Sequence, residues 1–109
     1  MQDLVFAIEE NLKKLKGAIR SRYDVSVKRA EAEYNYRTEL GRAMAEAKAD
    51  GMAATALYDF CRGIEKIAKL REKRDILVAQ EDYLEQLIYY YKTEIRIADK
   101  QIEAERKGE

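Results

Sequence analysis

The sequence predicts an all-α protein: a long antiparallel helical hairpin with a short helical segment at its turn, assembling further into a helical bundle. Three observations lead there. Charged residues make up 39 % of the 109 positions and proline is absent, and Ala, Glu, Lys, Arg and Leu dominate, a composition of long helices. Apolar residues recur at steps of three and four over most of the chain. One Asp-Gly, a strong turn signal, falls near the middle. The chain reads as a single helical domain over residues 1–109.

The first helix is placed at about Asp3 to Ala49, with Asp3 as N-cap. Its apolar stripe runs through Ile8, Leu12, Leu15, Ile19, Tyr23, Val27, Ala30, Tyr34, Gly41 and Met44. Acid-before-base pairs at i,i+4 support it: Glu9–Lys13, Glu10–Lys14, Asp24–Lys28 and Glu33–Arg37. Gly41 lies on the stripe and would permit a close helix approach. "ADGMAAT", residues 49–55, is the break, with Thr55 as N-cap for a short segment, "ALYDFCR". Gly63 ends that segment, or the chain runs straight on.

The second long helix is placed at about Ile64 to Arg106. Ile67, Arg74, Glu81, Ile88, Ile95 and Ile102 form one heptad column, and Leu70, Leu77, Leu84, Tyr91 and Ala98 the next, together an a/d seam. A short connection between two helices of such length predicts an antiparallel hairpin. If residue 49 closes near residue 64, residue 37 stands opposite about 76 and residue 33 opposite about 80. Glu33, Arg37, Arg74 and Asp75 then make an ionic layer across the middle, level with Glu81. A charge buried there must be paired or it costs several kcal/mol. The same groups could also hold a polar ligand.

"LIYYYKTEIRI", residues 87–97, places three tyrosines in succession. A helix turns about 100° per residue, so they cannot share one face. Tyr91 belongs to the seam. Tyr90 belongs to a second column, Ile76, Tyr83, Tyr90 and Ile97, for which a two-helix hairpin has no partner. Tyr89 points elsewhere again. Either a third helix covers this face, within or between chains, or it is a recognition surface.

The absences narrow the chemistry. Without histidine there is no Ser-His triad, Cys-His dyad or HExxH helix. One cysteine, Cys61, makes no Cys-based zinc site within one chain and reads as a small buried hydrophobe. No glycine-rich phosphate loop occurs. No cofactor and no catalysis are expected. Formal net charge is zero, which argues against a wholesale polyanion binder. Residues 13–29 nonetheless carry seven bases against one acid, so contact with nucleic acid is a second reading. No run approaches the ~20 apolar residues of a membrane span, and the N-terminus lacks a signal-peptide pattern. A cytoplasmic protein is expected.

The segments "AEAEYNYRTELGRAMAEAKADG", residues 30–51, and "RGIEKIAKLREKRDILVAQEDY", residues 62–83, resemble small helical proteins encoded by phages and prophages of Gram-positive bacteria. The resemblance implies an accessory phage protein acting inside the host bacterial cell, with no functional residues to carry over. In size and style the chain is also similar to small type II anti-CRISPR proteins. That likeness implies a stoichiometric, non-catalytic inhibitor of a host defence nuclease. The partners expected are further copies of the chain and a host protein. For such an inhibitor, Tyr83, Tyr89 and Tyr90 with Glu81, Asp82 and Glu85 are the candidate contact residues, the carboxylates standing in for a phosphate track. The rival readings are a nucleic-acid-associated accessory factor of phage replication or recombination, and a sponge for a nucleotide signal.

Overall fold

The computed structural model describes residues 1–108, and among them the regular structure is three α-helices in the order α1 (Gln2–Ala49), α2 (Ala54–Arg62) and α3 (Glu65–Gly108). The N–H groups of Leu4 and Val5 both donate to the Met1 carbonyl at 3.1 Å. Met1 rather than Asp3 therefore opens α1. Asp3 lies in the first turn, where its carboxylate faces the positive end of the helix dipole.

α1 ends in a Schellman motif. The N–H of Gly51 donates to Lys48 O and that of Met52 to Ala47 O, each at 3.0 Å. Gly51 has φ +93°, a left-handed conformation that favours glycine. α2 begins after Ala53, which is extended and offers no side-chain cap. Thr55 falls inside the helix and is not its N-cap. The N–H of Gly63 donates to Phe60 O at 3.1 Å and that of Ile64 to Cys61 O at 3.3 Å, tight turns that close α2 before α3 starts.

The chain packs as two compact units, residues 25–79 and residues 1–24 with 80–109. In the first, Tyr36, Leu40, Cys61 and Ile67 form a buried cluster, with Ala43, Met44, Ala47 and Leu70 packed against it. α2 contributes Leu57 and Cys61 as its buried residues. α1 and α3 run antiparallel here, because Glu33 meets Arg74 at 3.2 Å and Glu39 meets Lys66 at 3.3 Å.

That register differs from the expected one. Glu33 meets residue 74 where closure at 49 and 64 places it near 80, a shift of roughly 9 Å at 1.5 Å per residue. The cause is local. The last turns of α1 overshoot the start of α3, and Ala43, Met44 and Ala47 pack on the cluster that contains Cys61 of α2.

In the second unit the N-terminal half of α1 runs antiparallel to the C-terminal half of α3. The Met1 ammonium lies 3.5 Å from Glu105, and Arg22 lies 4.0 Å from Glu85. Ala18 and Ala98 are buried there, and Leu4, Ile8, Leu15, Leu84, Ile88 and Ile95 are half-buried.

The seam read for α3 is the inward one: Ile67, Leu77 and Ala98 are buried, and its other members are half-buried. The stripe read for α1 is mostly not. Leu12, Ile19, Tyr23, Val27 and Tyr34 are exposed, as are Ala30 and Gly41. The inward positions are Ala18, Ala32, Tyr36 and Leu40, with half-buried Asn11 before them and Arg22 among them. Alanines at 18 and 32 let one helix lie close on the other, so small side chains share the buried face of α1 with Tyr36 and Leu40. Gly41 allows no close approach, since a Cβ there would meet nothing within 4 Å.

Candidate functional site

The tyrosines of α3 divide as the turn of the helix requires. Tyr91 faces the seam and is half-buried. Tyr83, Tyr89 and Tyr90 stay 64 %, 67 % and 54 % exposed. The rings of Tyr90 and Tyr91 meet edge-on, with centroids 5.6 Å apart and planes at 67°. Thr93 donates from Oγ1 to the Tyr89 carbonyl at 2.9 Å, so its hydroxyl is satisfied locally rather than held out to solvent.

Acids accompany Tyr89 around the helix. Asp82 and Glu85 are exposed and Glu81 is half-buried. Glu85 lies at the 4.0 Å limit of pairing with Arg22, a contact that solvent-exposed groups make weakly. The six sequence-predicted contact residues thus lie in one unit, on α3, with three tyrosines and two acids open to solvent. Sequence reading missed that α1 adds exposed apolar side chains to the same unit, Leu12, Ile19 and Tyr23. Their three- and four-residue spacing reads as a core stripe, and the alanine column that replaces them carries little hydrophobic signal.

The predicted ionic layer assembles in the other unit. Arg74 donates from Nη1 to Glu33 Oε2 at 3.2 Å and from Nε to Asp75 Oδ1 at 3.0 Å. Arg37 donates from Nε to Glu33 Oε1 at 2.6 Å. Arg37 and Asp75 are exposed, and the side chains of Glu33 and Arg74 keep 26 % and 23 % of their surface. The layer is therefore half-solvated, not buried.

The guanidinium of Arg74 lies over the buried Tyr36 ring, 4.7 Å from its centroid. The hydrogen bond from Arg37 is the largest influence on the Glu33 carboxyl; burial opposes it, and the hydrogen bond and charge of Arg74 join Arg37 in holding the group below its ordinary pKa. Arg62 lies 5.1 Å over the exposed Tyr58 ring, and its pKa is raised chiefly by its contact with Tyr36. Glu33, Arg37, Arg74 and Asp75 satisfy one another, which suits a register-fixing layer better than a ligand pocket, whereas the buried Nε of Arg62 has no hydrogen-bond partner.

Surface depressions point the same way. A 540 Å³ hollow is lined by residues of α3 alone, among them Glu65, Lys69, Glu72 and Ile76. One helix face cannot enclose a small molecule, which needs a concave site burying most of its surface. Among the described residues, no three His, Cys, Asp or Glu side chains stand close enough to hold a metal ion. No helix among the described residues is long and apolar enough to cross a membrane. Comparison with protein-family models, with curated proteins and with solved structures finds no match.

Proposed function

We propose that this chain is a non-catalytic helical interaction protein that acts by stoichiometric contact through the exposed tyrosines of α3, Tyr83 and Tyr90 on one face and Tyr89 on the next. The observation that carries the reading is the exposure of Tyr83, Tyr89 and Tyr90 on one regular helix whose other apolar column is spent on the seam. Tyrosine suits such a face because it buries large area on association while its hydroxyl stays satisfied in water. Asp82 and Glu85, two turns and one turn before Tyr89 on the same face of α3, fit a basic protein surface. Blocking the nucleic-acid channel of a host defence nuclease is the use we assign to it, since carboxylates can occupy sites that otherwise take phosphates.

A photo-crosslinking residue at position 89 tests this in the cells that make the protein. The expected result is a covalent protein adduct that disappears when Tyr90 is changed to Glu, with no such adduct from the exposed control position 48 on α1. Equal labelling from positions 89 and 48 overturns the reading. So does direct DNA binding that falls steeply with salt, because the basic run at residues 13–29 would then be the functional face.

A further inference from the structure

The N-terminal part of α1 keeps large apolar side chains in water. Val5, Leu12 and Ile19 stand seven residues apart and are 43 %, 49 % and 50 % exposed. Seven residues are close to two helical turns, so the three make one column about 21 Å long. Half-buried Ile8 and Leu15 form the next column inward, and Arg22 continues it. Two columns that alternate at steps of three and four are the a/d pattern of a helix that packs on another helix. α1 thus carries a second seam beside the one that buries Ala18.

The edge of α3 next to this seam is fixed by one contact. Arg22 meets Glu85 within the unit made by residues 1–24 and 80–109. One heptad back from Arg22 is Leu15, and one heptad on from Glu85 is Lys92, so in this antiparallel pair the two stand level. The Lys92 column borders Ile88 and Ile95 on α3. The column of Tyr83 and Tyr90 lies on the other flank of the α3 seam, beyond Leu87 and Glu94.

Charge along this edge has one sign. Residues 12–23 carry five bases and no acid. Lys16 and Arg20 are exposed beside Leu12 and Ile19, and neither they nor Lys92 is in an ion pair among the described residues. Arg22 reaches Glu85 only at 4.0 Å, and its buried Nε has no hydrogen-bond partner. The apolar strip therefore runs between unpaired cations, Lys16 and Arg20 on one side and Lys92 on the other.

We propose that this edge is a groove for an acidic amphipathic helix of another protein, about 15 residues long. Two helices side by side offer a third a line of apolar contacts, the helix-in-groove mode of recognition. Carboxylates flanking the apolar face of that third helix meet Lys16, Arg20 and Lys92. Other occupants fit less well. A phosphate backbone gives Leu12 and Ile19 nothing to bury against. A bilayer surface does not reach Ile8 and Leu15, which are recessed beside α3. A second copy presenting the same edge sets bases against bases. The groove is separate from the exposed tyrosines and does not depend on them.

The probe is a stapled helical peptide of about five turns with leucine at a and d and glutamate at e and g, whose like charges keep it from pairing with itself. Fluorescence anisotropy reads its binding to the full chain, and the expected result is saturation at one peptide per chain. Lys16→Glu with Lys92→Glu should weaken binding about tenfold, and that variant should take a lysine version of the peptide instead. Leu12→Gln with Ile19→Gln should weaken binding roughly thirtyfold. All four positions are exposed, so circular dichroism should show unchanged helix. Tyr90→Glu, which removes the adduct from position 89, should leave the peptide bound as before. Glutamate and lysine peptides that bind the parent alike, or no binding by either, overturn the proposal. So does a single-stranded oligonucleotide or a phosphatidylglycerol vesicle that binds more tightly than the peptide and is indifferent to Leu12→Gln with Ile19→Gln, because the bases then act alone. Loss of peptide binding in Tyr90→Glu overturns the separate groove and leaves one contact surface.

Discussion

Replacing Arg74 by alanine separates a half-solvated ionic layer from a buried one. In the structure Arg74 contributes an ion pair to Glu33 at 3.2 Å, another to Asp75 at 2.9 Å, and the cover over the Tyr36 ring at 4.7 Å. Glu33 keeps Arg37 at 2.6 Å when Arg74 is gone, so no carboxylate is stranded. The stacking is worth about 0.5–1 kcal/mol, and pairs with this much solvent contribute about 0.5–1 kcal/mol together. A loss of about 1–2 kcal/mol follows, against the 3–5 kcal/mol of a pair broken inside a dry core. Urea unfolding at pH 7 reads it as a midpoint lowered by roughly 0.5–1 M. Arg74→Lys should fall between, because lysine keeps the charge and loses the planar fork over the ring.

The layer also has a pH signature. The Glu33 carboxyl is held below its ordinary value of 4.5 in the folded chain. Its contribution is therefore present above the unfolded carboxylate pKa and lost as pH falls through the lowered folded one. The stability gap between the parent and Arg74→Ala should narrow on acidification below about pH 4.5 and stay constant from pH 6 to 8. A loss above 3 kcal/mol, or one below about 0.5 kcal/mol, would refute the half-solvated geometry.

Two other sites give sharp expectations. Gly41→Ala should stabilise by about 0.5–1 kcal/mol, since the position is mid-helix, exposed and open around a Cβ. Gly51→Ala should destabilise by about 1–2 kcal/mol, because its φ of +93° strains any L side chain. Thermal melts of the two variants check both signs. Cys61 is fully buried in the core cluster: it should resist thiol reagents until the chain unfolds, and Cys61→Ser should cost about 1–3 kcal/mol by burying an unpaired hydroxyl.

What the sequence revealed was uneven for physical reasons. The inward face of α3 is legible because large aliphatic side chains mark a/d positions from Ile67 to Ile102. The inward face of α1 is not, because Ala18 and Ala32 pack beside Tyr36 and Leu40 while Leu12, Ile19 and Tyr23 stay in water. Counting large apolar residues selects the outer face of that helix. The pairing of Glu33 with Arg74 was visible as a shared polar level, but its register was not. The Schellman turn at Gly51 is legible from Asp-Gly, whereas the way the end of α1 packs on the α2 cluster depends on the burial of Leu57 and Cys61, and no spacing encodes that. For the exposed column of Tyr83 and Tyr90, seven-residue spacing was enough.

The account stands on those tyrosines being held out for contact and not for the core. The direct measurement is the pair Tyr83→Glu with Tyr90→Glu, assayed for urea stability and for the covalent adduct from position 89. The account predicts a stability within about 0.5 kcal/mol of the parent, as for surface positions, together with loss of the adduct. A stability loss above about 2 kcal/mol would contradict it, because the tyrosines would then be core residues of the folded chain.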